Sequence, residues 1–127
     1  MTSLCIDILL AEDDQDLREA MVDTLNDAGY TVEAVGNGLD ALEWLETAVA
    51  PPKLILLDLM MPVMDGWQFL DERQRTPRVA AVPVVVLSAN GAFTGESETT
   101  AFMRKPVGVK PLLAVVASYC VASPPLE

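Results

Sequence analysis

Residues 54–59 of the chain read Leu-Ile-Leu-Leu-Asp-Leu, a short apolar run that contains one acid. A strand in the middle of a parallel sheet is covered on both faces, so its sequence is apolar at nearly every position. The run therefore predicts a central parallel strand. An acid inside such a strand is costly to bury unless it has a partner, which makes Asp58 the first candidate for a functional residue.

Short apolar runs alternate with helix-period segments on both sides of this strand. The alternation is typical of β-α units that build a parallel sheet. It predicts further strands over residues 6–11, 30–35, 82–87 and 101–104, and helices over 14–28, 38–49, 66–75 and 111–122. Residues 89–100 are rich in Gly, Ser and Thr, which are poor in helix interiors. We expect a doubly wound, five-stranded parallel α/β sheet whose fourth helix is shortened or replaced by a loop.

The 127 residues have the length of one domain, which we expect over residues 1–122 with a frayed tail over 123–127. Residues 1–72 hold 16 acids and 2 bases, whereas residues 73–127 hold 3 acids and 6 bases, so the first half is an acidic body. A net charge of -11 argues against nucleic acid or an anionic membrane as a direct partner. No apolar run approaches the length of a membrane helix, and we expect a cytoplasmic protein.

The chain contains no histidine, which excludes Ser-His triads, Cys-His dyads and a phosphohistidine carried by the chain itself. Cys5 and Cys120 lie near opposite ends with no metal-binding spacing, and we expect two reduced thiols. Any chemistry must therefore use carboxylates, hydroxyls and lysines.

Such groups lie at the carboxyl ends of four of the predicted strands: the acids at residues 12–14, Asp58, Ser88 and Lys105. Ligand sites in doubly wound sheets lie outside the carboxyl ends of the strands, so we expect these groups to meet. Clustered carboxylates repel one another, and Mg²⁺ suits a site with a few oxygen ligands. Asp14 and Asp16 are expected to be acids of a helix start instead of ligands, and Asp65 to cap the third helix.

Four stretches carry a resemblance to a known family: ILLAEDDQDLREAM (8–21), LILLDLMMPVMDGWQFL (54–70), VPVVVLSA (82–89) and FMRKP (102–106). In order and approximate spacing they resemble the receiver domain of two-component response regulators. The resemblance implies a flavodoxin-like fold. It also implies that Asp58 is the phosphoacceptor, that Asp13 binds Mg²⁺ directly and that Glu12 binds it through water.

The resemblance further implies that the backbone carbonyl of Met60 is the third protein ligand of Mg²⁺. Ser88 matches the switch hydroxyl, Lys105 the lysine that pairs with the phosphoryl group, and Lys105-Pro106 a cis peptide bond. Phe102 matches the aromatic residue that changes rotamer with Ser88; the less favoured alternative is a strand residue that only packs on the core.

By this resemblance the domain is a switch that assists its own phosphorylation and dephosphorylation. Its partners would be a histidine kinase or phosphotransfer protein and a downstream protein that the sequence does not name. One alternative is a receiver-like interaction module that signals through residues 89–100 without phosphorylation. Another is a Mg²⁺-dependent phosphohydrolase that uses Asp58 as nucleophile, which is weaker because Met60 stands where a second acid would be needed.

Overall fold

The computed structural model describes residues 6–89 and 100–120. In these ranges five parallel strands form one sheet, in the order β2-β1-β3-β4-β5. The strands are β1 (Ile8–Ala11), β2 (Val32–Val35), β3 (Leu54–Asp58), β4 (Val84–Ser88) and β5 (Thr100–Arg104). The helices are α1 (Gln15–Asp27), α2 (Gly38–Thr47), α3 (Gly66–Gln74), α4 (Pro77–Ala80) and α5 (Val109–Tyr119). The predicted doubly wound parallel sheet is confirmed.

The run at residues 54–59 does form a central strand. Every residue of β3 is buried, and β3 pairs with β1 on one side and β4 on the other. Alternate residues supply two cores: Ile55 and Leu57 pack with α2, α3 and α4, whereas Leu54 and Leu56 pack with α1 and α5. Because the chain winds from β1 outward to β2 and then returns to β3, the strand order reverses between β1 and β3, where a ligand site is expected.

Some boundaries differ from the prediction by about two residues. Helix α2 was expected to reach residue 49 but ends at Thr47, because Ala48 has extended backbone and Arg78 donates hydrogen bonds to the carbonyls of Glu46 and Ala48. Helix α5 begins at Val109 instead of Pro111. Pro111 then lies in the first turn, where a missing N–H costs no helical hydrogen bond.

The one-turn helix α4 was not predicted. Pro77 is its first residue and Thr76 its N-cap, which is a sequence signal for a helix start that the length of the segment obscured. Val79 is buried in the core and packs the one-turn helix α4 against it. Arg73 of α3 is buried nearby and donates to the carbonyl of Val82, although nothing in the sequence distinguishes it from its exposed neighbours.

Three expectations fall outside the described residues: the shortened helix between β4 and β5, the frayed tail and the state of Cys5. Cys120 is a buried free thiol, and burial raises its pKa to about 11. Across the described ranges, no helix combines the length and the apolar character needed to cross a lipid bilayer.

Candidate functional site

The carboxyl ends of β1 and β3 bring three acids together. Glu12 and Asp13 follow β1, and Asp58 is the last residue of β3. One carboxylate oxygen from each lies within 4.8 Å of the others. Glu12 and Asp58 are only 1% and 5% exposed, whereas Asp13 is exposed. The cluster therefore has a buried floor and one solvent-facing member.

Glu12 is held by several hydrogen bonds. Its backbone N–H donates to the carbonyl of Val35 at the end of β2, at 3.0 Å. Its Oε1 accepts a hydrogen bond from Lys105 Nζ at 2.8 Å, and its Oε2 accepts one from the backbone N–H of Asp14 at 3.1 Å. Since both carboxylate oxygens and the backbone are engaged, the side chain has a defined position.

Lys105 joins the acids from the far edge of the sheet. Its backbone N–H donates to the carbonyl of Ser88 at 2.8 Å, which fixes it beside the end of β4. Its Nζ lies 3.4 Å from Asp58 Oδ1, farther than from Glu12. Burial lowers the pKa of Lys105, but the hydrogen bond to Glu12 and the charge of Asp58 outweigh it, so the pKa is raised. The lysine is therefore charged at neutral pH and bridges two acids.

Asp58 holds its proton more tightly than an exposed acid. Burial and the charge of Glu12 raise its pKa from 3.8 to about 6, although Lys105 and the backbone N–H of Met60 act in the opposite direction. Burial is the larger cause and the charge of Glu12 adds to it, whereas Lys105 only partly offsets them. The site lacks positive charge, which a bound cation would supply.

The residues fit a hard divalent cation. The donors are carboxylate oxygens, which Mg²⁺ prefers, and the buried pair of Glu12 and Asp58 carries more negative charge than Lys105 offsets. The exposure of Asp13 leaves one side open to water and to a further ligand. The cluster of Glu12, Asp13 and Asp58 could therefore bind a metal ion.

The loop between β3 and α3 is tightly packed at its end. Asp65 caps α3: its Oδ1 accepts from the backbone N–H of Gln68 at 2.9 Å, and the Gln68 side chain accepts from the N–H of Asp65. A Cβ on Gly66 would lie 2.7 Å from Cα of Leu59 and 2.9 Å from the carbonyl oxygen of Asp58. Only glycine permits this close approach, and α3 therefore begins directly against the end of β3.

Within this loop Val63 is strained. Its φ is 69°, and the N–H of Met64 donates to the carbonyl of Pro62 at 2.7 Å, which makes a γ-turn centred on Val63. A β-branched residue rarely adopts positive φ, and the 74% exposed side chain gains little packing in return. The loop next to Asp58 is thus held in an unfavourable conformation by its neighbours.

Replacing Val63 by glycine is expected to stabilise the protein by about 1 kcal/mol, because relief of the strain exceeds the entropy that glycine loses on folding. Urea unfolding of the wild type and of Val63→Gly measures the difference. Val63→Ala is the matched control: it keeps a Cβ and therefore most of the strain, and should not stabilise. A Val63→Gly protein no more stable than Val63→Ala would contradict this interpretation.

The other predicted site residues lie on or next to strands β3, β4 and β5. Ser88 is 2% exposed at the end of β4. Met60 is 64% exposed, and its backbone N–H donates to Asp58 Oδ1 at 3.4 Å. Phe102 is partly buried against the core that contains α2 and α3, in agreement with a packing role. The Lys105-Pro106 peptide bond is cis, as predicted.

The acids expected to start helices do so. Asp14 is the N-cap of α1 and its Oδ1 accepts from the N–H of Leu17 at 3.2 Å, while Asp16 lies in the first turn. The sequence analysis overlooked Arg18, whose Nη1 donates to the backbone carbonyl of Glu12 at 2.7 Å. A signal was available, since Arg18 and Lys53 are the two bases among the first 72 residues.

Comparison with known proteins identifies relatives of the whole domain. The response regulator receiver domain model matches residues 8–117. An uncharacterized 14.6 kDa protein of Leptolyngbya boryana is 33% identical over 94% of this chain and 94% of its own length. The response regulator Rre1 of Synechocystis is 34% identical over 87% of this chain, and the transcriptional regulatory protein HprR of Escherichia coli is 38% identical over 86%. This chain spans 50% and 49% of the lengths of Rre1 and HprR.

Solved structures agree with these relatives. The receiver domain of a sensor histidine kinase of Pseudomonas aeruginosa, with a magnesium ion coordinated in its active-site cleft, is 25% identical with a TM-score of 0.80 and covers 94% of this chain and 100% of that one. The chemotaxis protein CheY4 of Vibrio cholerae is 25% identical with a TM-score of 0.78 and covers 91% of this chain and 99% of that one. Receiver domains are signalling switches that interact with histidine kinases or phosphotransfer proteins. From the match over residues 8–117, the chain belongs to the response regulator receiver domain family of two-component systems.

Proposed function

We propose that this chain accepts a phosphoryl group on Asp58 from a phosphohistidine of a histidine kinase or phosphotransfer protein, with Mg²⁺ held by Glu12, Asp13 and Asp58. One observation carries the proposal: the carboxylate of Asp58 lies buried beside two other acids, with Lys105 Nζ 3.4 Å from its Oδ1. This arrangement combines a nucleophile, a cation site and a fixed positive charge.

In the proposed step, a carboxylate oxygen of Asp58 attacks phosphorus while the P–N bond of the phosphohistidine breaks. The leaving imidazole nitrogen keeps the electron pair of that bond, and Asp58 becomes an acyl phosphate. With its pKa raised to about 6, Asp58 is mostly ionised at neutral pH and able to attack. Bound Mg²⁺ would supply positive charge for the phosphoryl oxygens. Lys105 would pair with those oxygens from the β5 side.

The remaining roles follow the family resemblance. The carbonyl of Met60 would complete the protein ligands of Mg²⁺, and the hydroxyl of Ser88 would donate a hydrogen bond to the new phosphoryl group. Phe102 would respond to Ser88. We also propose that the domain covers residues 1–122, acts in the cytoplasm and signals through a downstream protein without direct contact with nucleic acid. This chain spans about half the length of relatives such as Rre1 and HprR. The proposal therefore concerns the receiver domain and assigns no activity to a longer protein that contains it.

The two alternatives receive less support. A module that signals without phosphorylation through residues 89–100 would not require the charged cluster around Asp58, and its proposed surface lies outside the described residues. A phosphohydrolase would need a general acid two positions after the nucleophile, where Met60 has an apolar side chain that is 64% exposed. The geometry therefore favours a phosphoacceptor.

Acetyl phosphate is expected to add one phosphoryl group to the wild-type protein in the presence of Mg²⁺, because the small donor needs no docking surface. Intact-mass spectrometry before and after incubation measures the incorporation. A parallel sample with excess chelator is the control and should remain unmodified. A wild-type protein that stays unmodified with Mg²⁺, or is modified equally with chelator, would contradict the proposal.

A further inference from the structure

We propose that Arg18 of α1 is a positioning residue for the metal ligands, acting through the backbone that joins Glu12 to Asp13. This inference rests on the proposed Mg²⁺ site. Arg18 is half-buried, and its Nη1 donates to the carbonyl oxygen of Glu12 at 2.7 Å, a short charge-assisted hydrogen bond. That carbonyl belongs to the peptide unit between two of the three acids.

The guanidinium also reaches the neighbouring strand. A Cβ placed on Gly36, the residue after β2, would lie 3.5 Å from Arg18 Nη1. The N–H of Glu12 donates to the carbonyl of Val35, the last residue of β2. Arg18 therefore lies across the ends of β1 and β2, and it binds the Glu12 carbonyl where the ladder between these strands stops.

The hydrogen bond constrains the direction of Asp13. Rotation of the Glu12–Asp13 peptide plane changes ψ of Glu12 and φ of Asp13, and with them the direction of the Asp13 side chain. The side chain of Glu12 is independently held by Lys105 and by the N–H of Asp14. Asp13 is exposed and has less packing to fix it, so we infer that the tie from Arg18 matters most for this ligand.

An electrostatic role and a positioning role of Arg18 predict opposite changes in Mg²⁺ affinity when Arg18 is removed. Removal of a positive charge close to an acidic cluster should tighten the binding of a divalent cation. Loss of a group that orients the ligands should weaken it, by about tenfold for partners of this kind. The sign of the change therefore distinguishes a positioning role from a purely electrostatic one.

The test is calorimetric titration of Mg²⁺ into the unphosphorylated full chain at pH 8. Arg18→Met keeps a long side chain without a donor, and its Mg²⁺ dissociation constant is expected to be about tenfold higher than that of the wild type. Arg18→Lys keeps a charged donor and is expected to lie between the two. Lys53→Ala removes the same charge from the N-terminal end of β3, where Lys53 pairs with Asp7 at 3.5 Å, and should bind Mg²⁺ at least as tightly as the wild type.

The outcomes separate this inference from the proposed function. A wild type that binds no Mg²⁺ would contradict the proposed metal site itself. A wild type that binds, with an Arg18→Met variant that binds equally or more tightly, would overturn only the role of Arg18. An Arg18→Lys variant no better than Arg18→Met would do the same. Thermal unfolding without Mg²⁺ identifies a purely structural role, which would lower the melting temperature and leave the dissociation constant unchanged. Should Arg18→Met not fold, Arg18→Lys is compared with the wild type directly: because the charge is unchanged, weaker Mg²⁺ binding supports the positioning role and equal binding overturns it.

Discussion

Replacement of Asp58 by asparagine is expected to abolish phosphoryl incorporation from acetyl phosphate. The amide of asparagine has no nucleophilic oxygen comparable to a carboxylate, and it replaces one of the three carboxylates of the cation site by a neutral amide. Glu12 does not replace it, because both of its carboxylate oxygens already accept hydrogen bonds. Intact-mass spectrometry should show one added phosphoryl group on the wild type and none on the variant.

Asp65→Asn is the matched control for this experiment. Asp65 lies in the same loop but caps α3, and asparagine is an equally good N-cap, so the fold is retained. The control should be modified as completely as the wild type. Equal modification of Asp58→Asn would contradict the assignment, and peptide mapping would then identify the residue that carries the phosphoryl group.

In the absence of Mg²⁺, Asp58→Asn is expected to stabilise the protein by about 3 kcal/mol at pH 8. Asp58 has a pKa of about 6 in the folded chain and 3.8 as a free side chain, and each unit of pKa corresponds to about 1.4 kcal/mol. Between these values the folded state binds more protons than the unfolded state. The wild type therefore loses stability as the pH rises from about 4 to about 6, whereas Asp58→Asn does not.

Urea unfolding of both proteins at pH 4 and pH 8 tests this expectation. The advantage of Asp58→Asn should fall below about 1 kcal/mol at pH 4, where Asp58 of the wild type is protonated in the folded state and only partly ionised in the unfolded state. Subtraction of the two proteins cancels the other titrating groups. Excess Mg²⁺ at pH 8 should stabilise the wild type more than the variant and reduce the difference. An advantage that is equal at both pH values would show that the charge of Asp58 is not its cause.

Much of the fold followed from local pattern. Strand β3 was predictable because a short run that is apolar at nearly every position is typical of a strand covered on both faces. Helix starts were predictable where a capping side chain precedes them, as with Asp14 and Asp65. The end of α2 was not, because Arg78, more than 30 residues away, accounts for it. Tertiary contacts of this kind produce no periodic pattern in the sequence.

The candidate site divides in the same way. The acids and Lys105 could be predicted to meet, since the carboxyl ends of parallel strands share one edge. The partner of Lys105 could not: its Nζ lies closer to Glu12 than to Asp58, which depends on side-chain conformation. Arg18 binds a backbone carbonyl, and a backbone acceptor has no signature in the sequence. The strain at Val63 likewise depends on the path of the loop.

The positions of the site residues along the chain determine when the site becomes complete during synthesis. Glu12 and Asp13 follow β1 and Asp58 ends β3, and these two strands pair directly with each other. Lys105 follows β5, an edge strand that pairs only with β4 and can join only after β4 is in place. A growing chain therefore presents its three carboxylates before it contains the lysine that bridges two of them. The three acids of the cluster are therefore synthesised first and Lys105 last.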